Sequence, residues 1–126
     1  MNPATLATNI EVSMPTTSEG REVLARFFRA TGDQNRLQLL DFLAGGEHSA
    51  TECVQLVGLA QSRVSSHLAC LVSCGLVSVR RQGRFAFYKV VDPRVMELIR
   101  LGTEIAADNA ESVAKCIKVA EFPIKS

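Results

Sequence analysis

The chain changes its apolar period at Gly75, and that change limits what it can fold into. Before it, Val64, Leu68 and Leu71 recur at i, i+4 and i+7, which predicts a helix from Gln61 to Cys74 with one core face. After it, Leu76–Val79 and Phe85–Val91 are strand-like, and Arg80–Arg84, with Gly83 at the bend, joins them into a β-hairpin. Three helices are expected upstream. Ser18, followed by Glu19 and Glu22 at the positive end, opens the first; Val23, Leu24, Phe27 and Phe28 form its apolar stripe and Gly32 ends it. Asp33 caps the second, which carries Leu37, Leu39, Leu40 and Leu43 up to Gly45–Gly46. Ser49 opens a short third, with Ala50, Cys53, Val54 and Val57 on one face and Gly58 as the stop. Downstream of the hairpin, Pro93 starts a last long helix bearing Val95, Leu98, Ile99, Ile105, Val113 and Ile117, with Pro123 beyond its end. This helix is more apolar than one packed face needs, so part of it is expected to meet a partner chain.

Residues 1–18, rich in Thr, Ser, Asn and Pro, are expected to be a flexible arm with a short ordered piece around Ile10–Met14. Residues 19–120 are expected to form one domain and residues 121–126 a C-terminal tail. A length of 126 residues suits a single core, and 47% hydrophobic with 21% charged residues excludes wholesale disorder and fibrous classes. No apolar run approaches the ~18 residues of a membrane span, and no secretory signal pattern opens the chain. A cytoplasmic location is the expectation. The four cysteines are then thiols or metal ligands before they are disulfides.

The net charge of +1 hides an uneven distribution. Residues 1–52 carry four basic and seven acidic side chains, and residues 92–126 five and six. Residues 53–91 carry Arg63, Arg80, Arg81, Arg84 and Lys89 and no carboxylate. A stretch of that kind suits a surface that meets a polyanion.

Helices, a short helix, a tight turn, another helix and then a basic hairpin are the order of a winged helix-turn-helix. The fold class is therefore mainly α with a β-hairpin wing, dimeric through its terminal helices. The helix after the tight turn stands proud enough to enter a major groove. Its polar face presents Gln61, Ser62, Arg63, Ser65, Ser66 and His67, short hydrogen-bonding groups around one Arg able to engage guanine or phosphate. Arg80, Arg81 and Arg84 on the hairpin would supply phosphate contacts along the flanking backbone. The expected partners are double-stranded operator DNA and a second copy of the chain.

At these residues a resemblance appears. Ala60-Gln61-Ser62-Arg63-Val64-Ser65-Ser66-His67-Leu68-Ala69-Cys70-Leu71, then Gly75-Leu76-Val77 and the Arg-Gln-Gly-Arg hairpin, resembles the ArsR/SmtB metalloregulators. Asp33-Gln34-Asn35-Arg36-Leu37 is similar to the opening of that family's second helix. The resemblance covers about residues 20–119 and implies a homodimeric winged-helix repressor that leaves its operator on binding an inducer.

The inducer has to be read from the cysteines. Cys70 and Cys74 lie one helical turn apart, off the Val64–Leu68–Leu71 stripe and near Arg63 and His67. Cβ atoms ~5–6 Å apart suit two sulfurs reaching a common soft ion, whereas a disulfide needs ~3.5–4.5 Å. Two thiolates under-coordinate most soft cations, and Cys116 on the last helix is the natural third. This set resembles the cadmium- and lead-sensing members of the family, which implies a site bridging two subunits. An all-sulfur, roughly trigonal set selects Cd(II), Pb(II) or Hg(II), with As(III) at the margin, over Mg, Ca or Mn. Zn(II) would want a fourth ligand and usually some nitrogen.

Cys53 shares the apolar face of its helix and is expected to be structural. The family's arsenic-type Cys-Val-Cys segment would fall near Ser49–Ala50–Thr51, which holds no cysteine, and no histidine follows His67 to build a zinc-type site. His48 reads as a loop residue, and His67 as a surface or packing residue before a ligand. Three alternatives stay open: a thiol redox switch on the same DNA-binding fold, a metal-buffering protein, and a thiol enzyme using Cys70 and His67. The last lacks an orienting carboxylate and an oxyanion donor set. No enzyme activity and no organic cofactor is expected.

Overall fold

The computed structural model describes residues 17–116, which divide into two compact units, up to Val91 and from Asp92 onward. The expected arm around Ile10–Met14, the helix end at Ile117, Pro123 and the tail 121–126 lie outside the described residues. In the first unit the elements are α1 (Ser18–Thr31), α2 (Gln34–Ala44), β1 (His48–Ser49), α3 (Ala50–Val57), α4 (Gln61–Ser73), β2 (Val77–Gln82) and β3 (Phe85–Val90). The second unit holds α5 (Arg94–Asp108).

Each helix begins where a side chain can take the first backbone donors. Thr17, one residue before the expected start, caps α1 by accepting from the Gly20 N–H at 2.9 Å. Asp33 caps α2 through Oδ1, which accepts from the N–H groups of Asn35 at 2.8 Å and Arg36 at 3.1 Å. At α3, Ser49 Oγ accepts from the Glu52 N–H while the Glu52 carboxylate accepts from the Ser49 N–H, a reciprocal pair that satisfies two orphan donors. Gly58 ends α3 at φ 74° and Gly75 follows α4 at φ 78°, left-handed turns that favour glycine.

The core is compact and largely aliphatic. Leu39, Leu40 and Leu43 of α2, Cys53 of α3, and Val64, Leu68 and Leu71 of α4 are each no more than 1% exposed. Leu76 and Val77 extend it toward the hairpin. The α2, α3 and α4 helices pack on one another, α1 packs on α2 and α4, and the sheet leans on α2, α3 and α4. The stripe expected on α1 is not the buried side of the unit: Val23, Leu24 and Phe27 are half-buried, and Phe28 is exposed. Periodicity marks an apolar face, but not what covers it.

Three departures from the expected elements exceed a single residue. The hairpin strands run on through Arg80, Arg81 and Gln82, pairing Arg80 with Phe87 and Gln82 with Phe85, so the turn is only Gly83–Arg84. Strand pairing needs only backbone donors and acceptors, and solvated arginines on an outer strand do not oppose it. His48 is not a loop residue but part of a third strand: His48 and Ser49 pair antiparallel with Tyr88 and Phe87, giving the order β1-β3-β2. Its ring stacks on Phe42 with centroids 3.7 Å apart. The last helix is not continuous. It ends at Asp108, with Asn109 at φ −123° and ψ 29°, and residues 110–116 form a further helical stretch.

In that second unit Leu101, Ile105 and Val113 are exposed, while Arg100 bridges to Glu97 and Glu104 along the solvated face of α5. No helix among the described residues is long and apolar enough to cross a membrane.

Leu71→Ala should cost about 2–5 kcal/mol, because it removes a fully buried side chain from packing with little room to collapse. Ser66→Ala, on the opposite face of α4, should stay within about 0.5 kcal/mol. Urea melts of the two variants check this, and near-equal losses would contradict the burial described.

Candidate nucleic-acid interface and thiol pair

Burial of Val64, Leu68 and Leu71 turns the other side of α4 outward, so Gln61, Ser62, Arg63, Ser65 and Ser66 are all exposed. These residues divide between two hollows. Gln61 and Ser65 face a cleft of about 580 Å³ toward the hairpin, lined also by Arg81, Arg84 and Phe85 and by no carboxylate. Ser62, Arg63, Ser66 and His67 line a second hollow together with Arg36 of α2. The Ser66 hydroxyl donates to the Ser62 carbonyl at 3.1 Å, which leaves its oxygen able to accept.

Two of the expected DNA-binding residues are engaged within the protein. Arg80 forms a two-pronged ion pair with Glu47, Nε to Oε2 and Nη2 to Oε1, each at 2.9 Å. It also donates to Gln82 Oε1 at 2.8 Å and stands 4.6 Å from the Phe87 ring centre. The hydrogen bonds from Arg80 hold the Glu47 carboxyl below its ordinary range. Glu47 lies just ahead of the carboxylate-free stretch and offsets one of its charges. His67 is turned inward: its Nδ1 accepts from Arg36 Nε–H at 3.1 Å, and its side chain is 13% exposed. Arg36 is the residue that reading for exposed polar positions on α4 overlooks, since it belongs to another helix.

The cysteines fall into different environments. Cys53 is fully buried, and burial first, then the neighbouring Glu52 carboxylate, pushes its thiol up to about 11. Cys70 is half-buried, and Cys74 is exposed at the C-cap of α4, one residue past the last helical position. Partial burial first, then the neighbouring Cys70, raise the Cys74 thiol, while the Arg36 guanidinium pulls it the other way. The pair is thus accessible, all sulfur and off the core stripe, a donor set that fits a soft cation better than a hard one. Cys116 is exposed in the second unit. Among the described residues of one chain, no three His, Cys, Asp or Glu side chains gather closely enough to hold a metal ion.

A helix-turn-helix followed by a hairpin, with a basic, hydroxyl-rich helix face turned outward, defines a winged-helix DNA-binding regulator. The comparisons agree. The profile of the "Bacterial regulatory protein, arsR family" matches residues 33–79. A "probable mercury resistance operon repressor" of Streptomyces lividans is 49% identical over 98 residues, 78% of either chain. The "HTH-type transcriptional regulator CmtR" of Mycobacterium bovis is 40% identical over 77 residues, 60% of this chain and 65% of that one. The crystal structure of NolR from Sinorhizobium fredii superposes with a TM-score of 0.64 at 33% identity, over 73% of this chain and 95% of that one. A "homodimeric winged helix-turn-helix DNA-binding domain" from Mycobacterium bovis does so at 0.63 and 29%, over 79% and 92%. The chain belongs to the ArsR family of bacterial regulatory proteins. That is a family of DNA-binding transcriptional regulators and not of enzymes.

A small thiol-alkylating reagent at mildly alkaline pH should label the exposed Cys74 well before Cys53, which should react only after unfolding, as read by peptide mass spectrometry. Equal rates at the two positions would contradict the environments described.

Proposed function

We propose that the chain is a transcriptional repressor that holds operator DNA as a homodimer and releases it when a soft thiophilic cation, Cd(II), Pb(II) or Hg(II), binds the thiolates of Cys70, Cys74 and Cys116. The observation that carries this reading is the Cys70–Cys74 pair, one helical turn apart and open to solvent at the C-terminal end of the helix whose N-terminal half bears the reading residues. Nothing in core packing requires thiols there, since the buried stripe runs through Val64, Leu68 and Leu71. The similarity to a relative named for mercury resistance supports a soft metal as inducer, and that to a homodimeric winged-helix domain supports the dimer.

The residues take separate roles. Gln61, Ser62, Arg63, Ser65 and Ser66 would read base edges, with Arg63 the group able to engage guanine in two bonds. Arg81 and Arg84 would hold phosphates from the wing side of the cleft. Arg80, already paired with Glu47, would contribute less than its sequence neighbour. Cys70 and Cys74 would grip the ion from α4, and Cys116 would complete the set from a last-helix segment. The ion would supply one soft Lewis-acidic centre shared by those sulfurs.

Each thiol must lose a proton to become a ligand. The Cys74 thiol lies above its ordinary range, so at neutral pH it is protonated and the ion has to displace that proton. Metal affinity should therefore rise with pH and fall in acid.

Cys→Ser replacement at 70, 74 or 116 should abolish the near-ultraviolet thiolate-to-metal absorption formed with Cd(II) or Pb(II), and Cys53→Ser should retain it. An absorption that needs Cys53 but not Cys116 would sink the proposed ligand set. Arg63→Ala should cost about 1–3 kcal/mol of operator binding and relax base preference. Arg84→Ala should weaken binding to all sequences alike and flatten its salt dependence, and Arg80→Ala should do so less. Fluorescence anisotropy across a salt series separates these outcomes; three arginines behaving identically would contradict the roles assigned.

A further inference from the structure

Arg36 lies outside the segment expected to touch DNA, yet its side chain crosses from α2 to the reading helix. Its Nε–H donates to His67 Nδ1 at 3.1 Å, and its Nη1 donates to the Ala30 carbonyl near the end of α1 at 3.4 Å. Asp33 stands by the same ring, with the Oδ1 that caps α2 3.9 Å from His67 Nδ1. One side chain thus ties three helices, and it does so beside the reading residues, since Arg36 shares a hollow with Ser62, Arg63 and Ser66. His67 also precedes Cys70 by one helical turn, so the tie falls between the thiol pair and the reading end of α4.

We propose that Arg36 is a positioning residue for operator recognition, holding the reading helix in register with α1 and α2 through its bond to His67.

The chemistry favours this role over a simple surface charge. A guanidinium donates from a rigid planar fork and can meet two acceptors in fixed directions, which an ammonium on a flexible stem cannot. Base reading in turn demands that short side chains reach base edges within hydrogen-bond distance, whereas long exposed arginines can follow a phosphate through a small displacement. Loosening the tie should therefore cost specificity before it costs general affinity for DNA.

The inference rests on the operator-binding reading above, and the test keeps the two apart. The probe is a duplex selected by the unaltered protein from a randomised pool, with a scrambled duplex of equal length as the non-specific reference. Arg36→Lys, which keeps the charge, and His67→Ala are each expected to bind the selected duplex roughly tenfold more weakly and the scrambled one as before. The double variant should lose no more than either single one, because both remove the same bond. Arg36→Gln should keep the parent's slope of log affinity against log salt. Should the Arg36 variants fail to fold in a thermal melt, His67→Ala against the parent carries the same comparison of selected and scrambled duplex. If the parent selects no duplex, the operator reading itself fails. If the parent selects one but the variants bind it as tightly, or the two losses add, Arg36 does not position the helix. A slope flattened by about one phosphate in Arg36→Gln would likewise overturn the proposal, making Arg36 a direct DNA contact.

Discussion

Val64, Leu68 and Leu71 must lie in the core, and that requirement orients everything else on α4. A helix that commits one stripe to a close-packed interior has no rotational freedom left, because turning it by one residue would expose those three side chains and bury polar ones. With the stripe fixed against α2 and α3, the N-terminal polar residues are held outward and the two thiols fall on a flank. Recognition chemistry and thiol chemistry are therefore set on one rigid element by the same few aliphatic contacts. A disturbance at one end of such an element is felt at the other, and that is how the proposed ion would be coupled to DNA release.

Electrostatics refine this arrangement. The run from Cys53 to Val91 lacks carboxylates in sequence, but the fold brings Glu47 onto Arg80 from outside it. The positive charge left on the reading side belongs to Arg63 and Arg36 around one hollow and to Arg81 and Arg84 on the hairpin, where the cleft lining contains no carboxylate. A phosphate approaching the cleft would meet arginines whose charge is not already balanced by an acid in the lining. The Arg80–Glu47 pair instead braces the hairpin, since its partners are 33 residues apart and join β2 to the segment ahead of β1.

What could be read from the sequence follows from range. The caps Asp33 and Ser49, the stop at Gly58, the bend at Gly83 and the stripe of α4 all depend on residues within a turn or two of one another, and the structure places them as expected. Cys53 was legible for the same reason, because it shares a face with apolar neighbours in its own helix. The Arg36–His67 bond, the Glu47–Arg80 pair and the strand at His48–Ser49 were not, since each joins residues some thirty or more positions apart with no local pattern to announce them. The expected continuity of the last helix failed because apolar residues on both sides of Asn109 keep a helical rhythm that says nothing about a local break. For the candidate site, the exposed polar face of α4 and the adjacency of Cys70 and Cys74 were readable from a helical projection. The inward turn of His67 and the withdrawal of Arg80 into an ion pair were not.

If ion and operator compete through one rigid helix, each must weaken the other's binding by the same factor. The most direct test measures that reciprocity. Operator affinity is followed by fluorescence anisotropy at fixed salt with and without one equivalent of Cd(II), Pb(II) or Hg(II) per protomer. Affinity for the same ion is followed with and without saturating operator. The expected result is that an ion weakens operator binding, by a coupling of about 1–3 kcal/mol, and that operator weakens binding of that ion by the same factor. Operator binding left unchanged or made tighter by all three ions would contradict it.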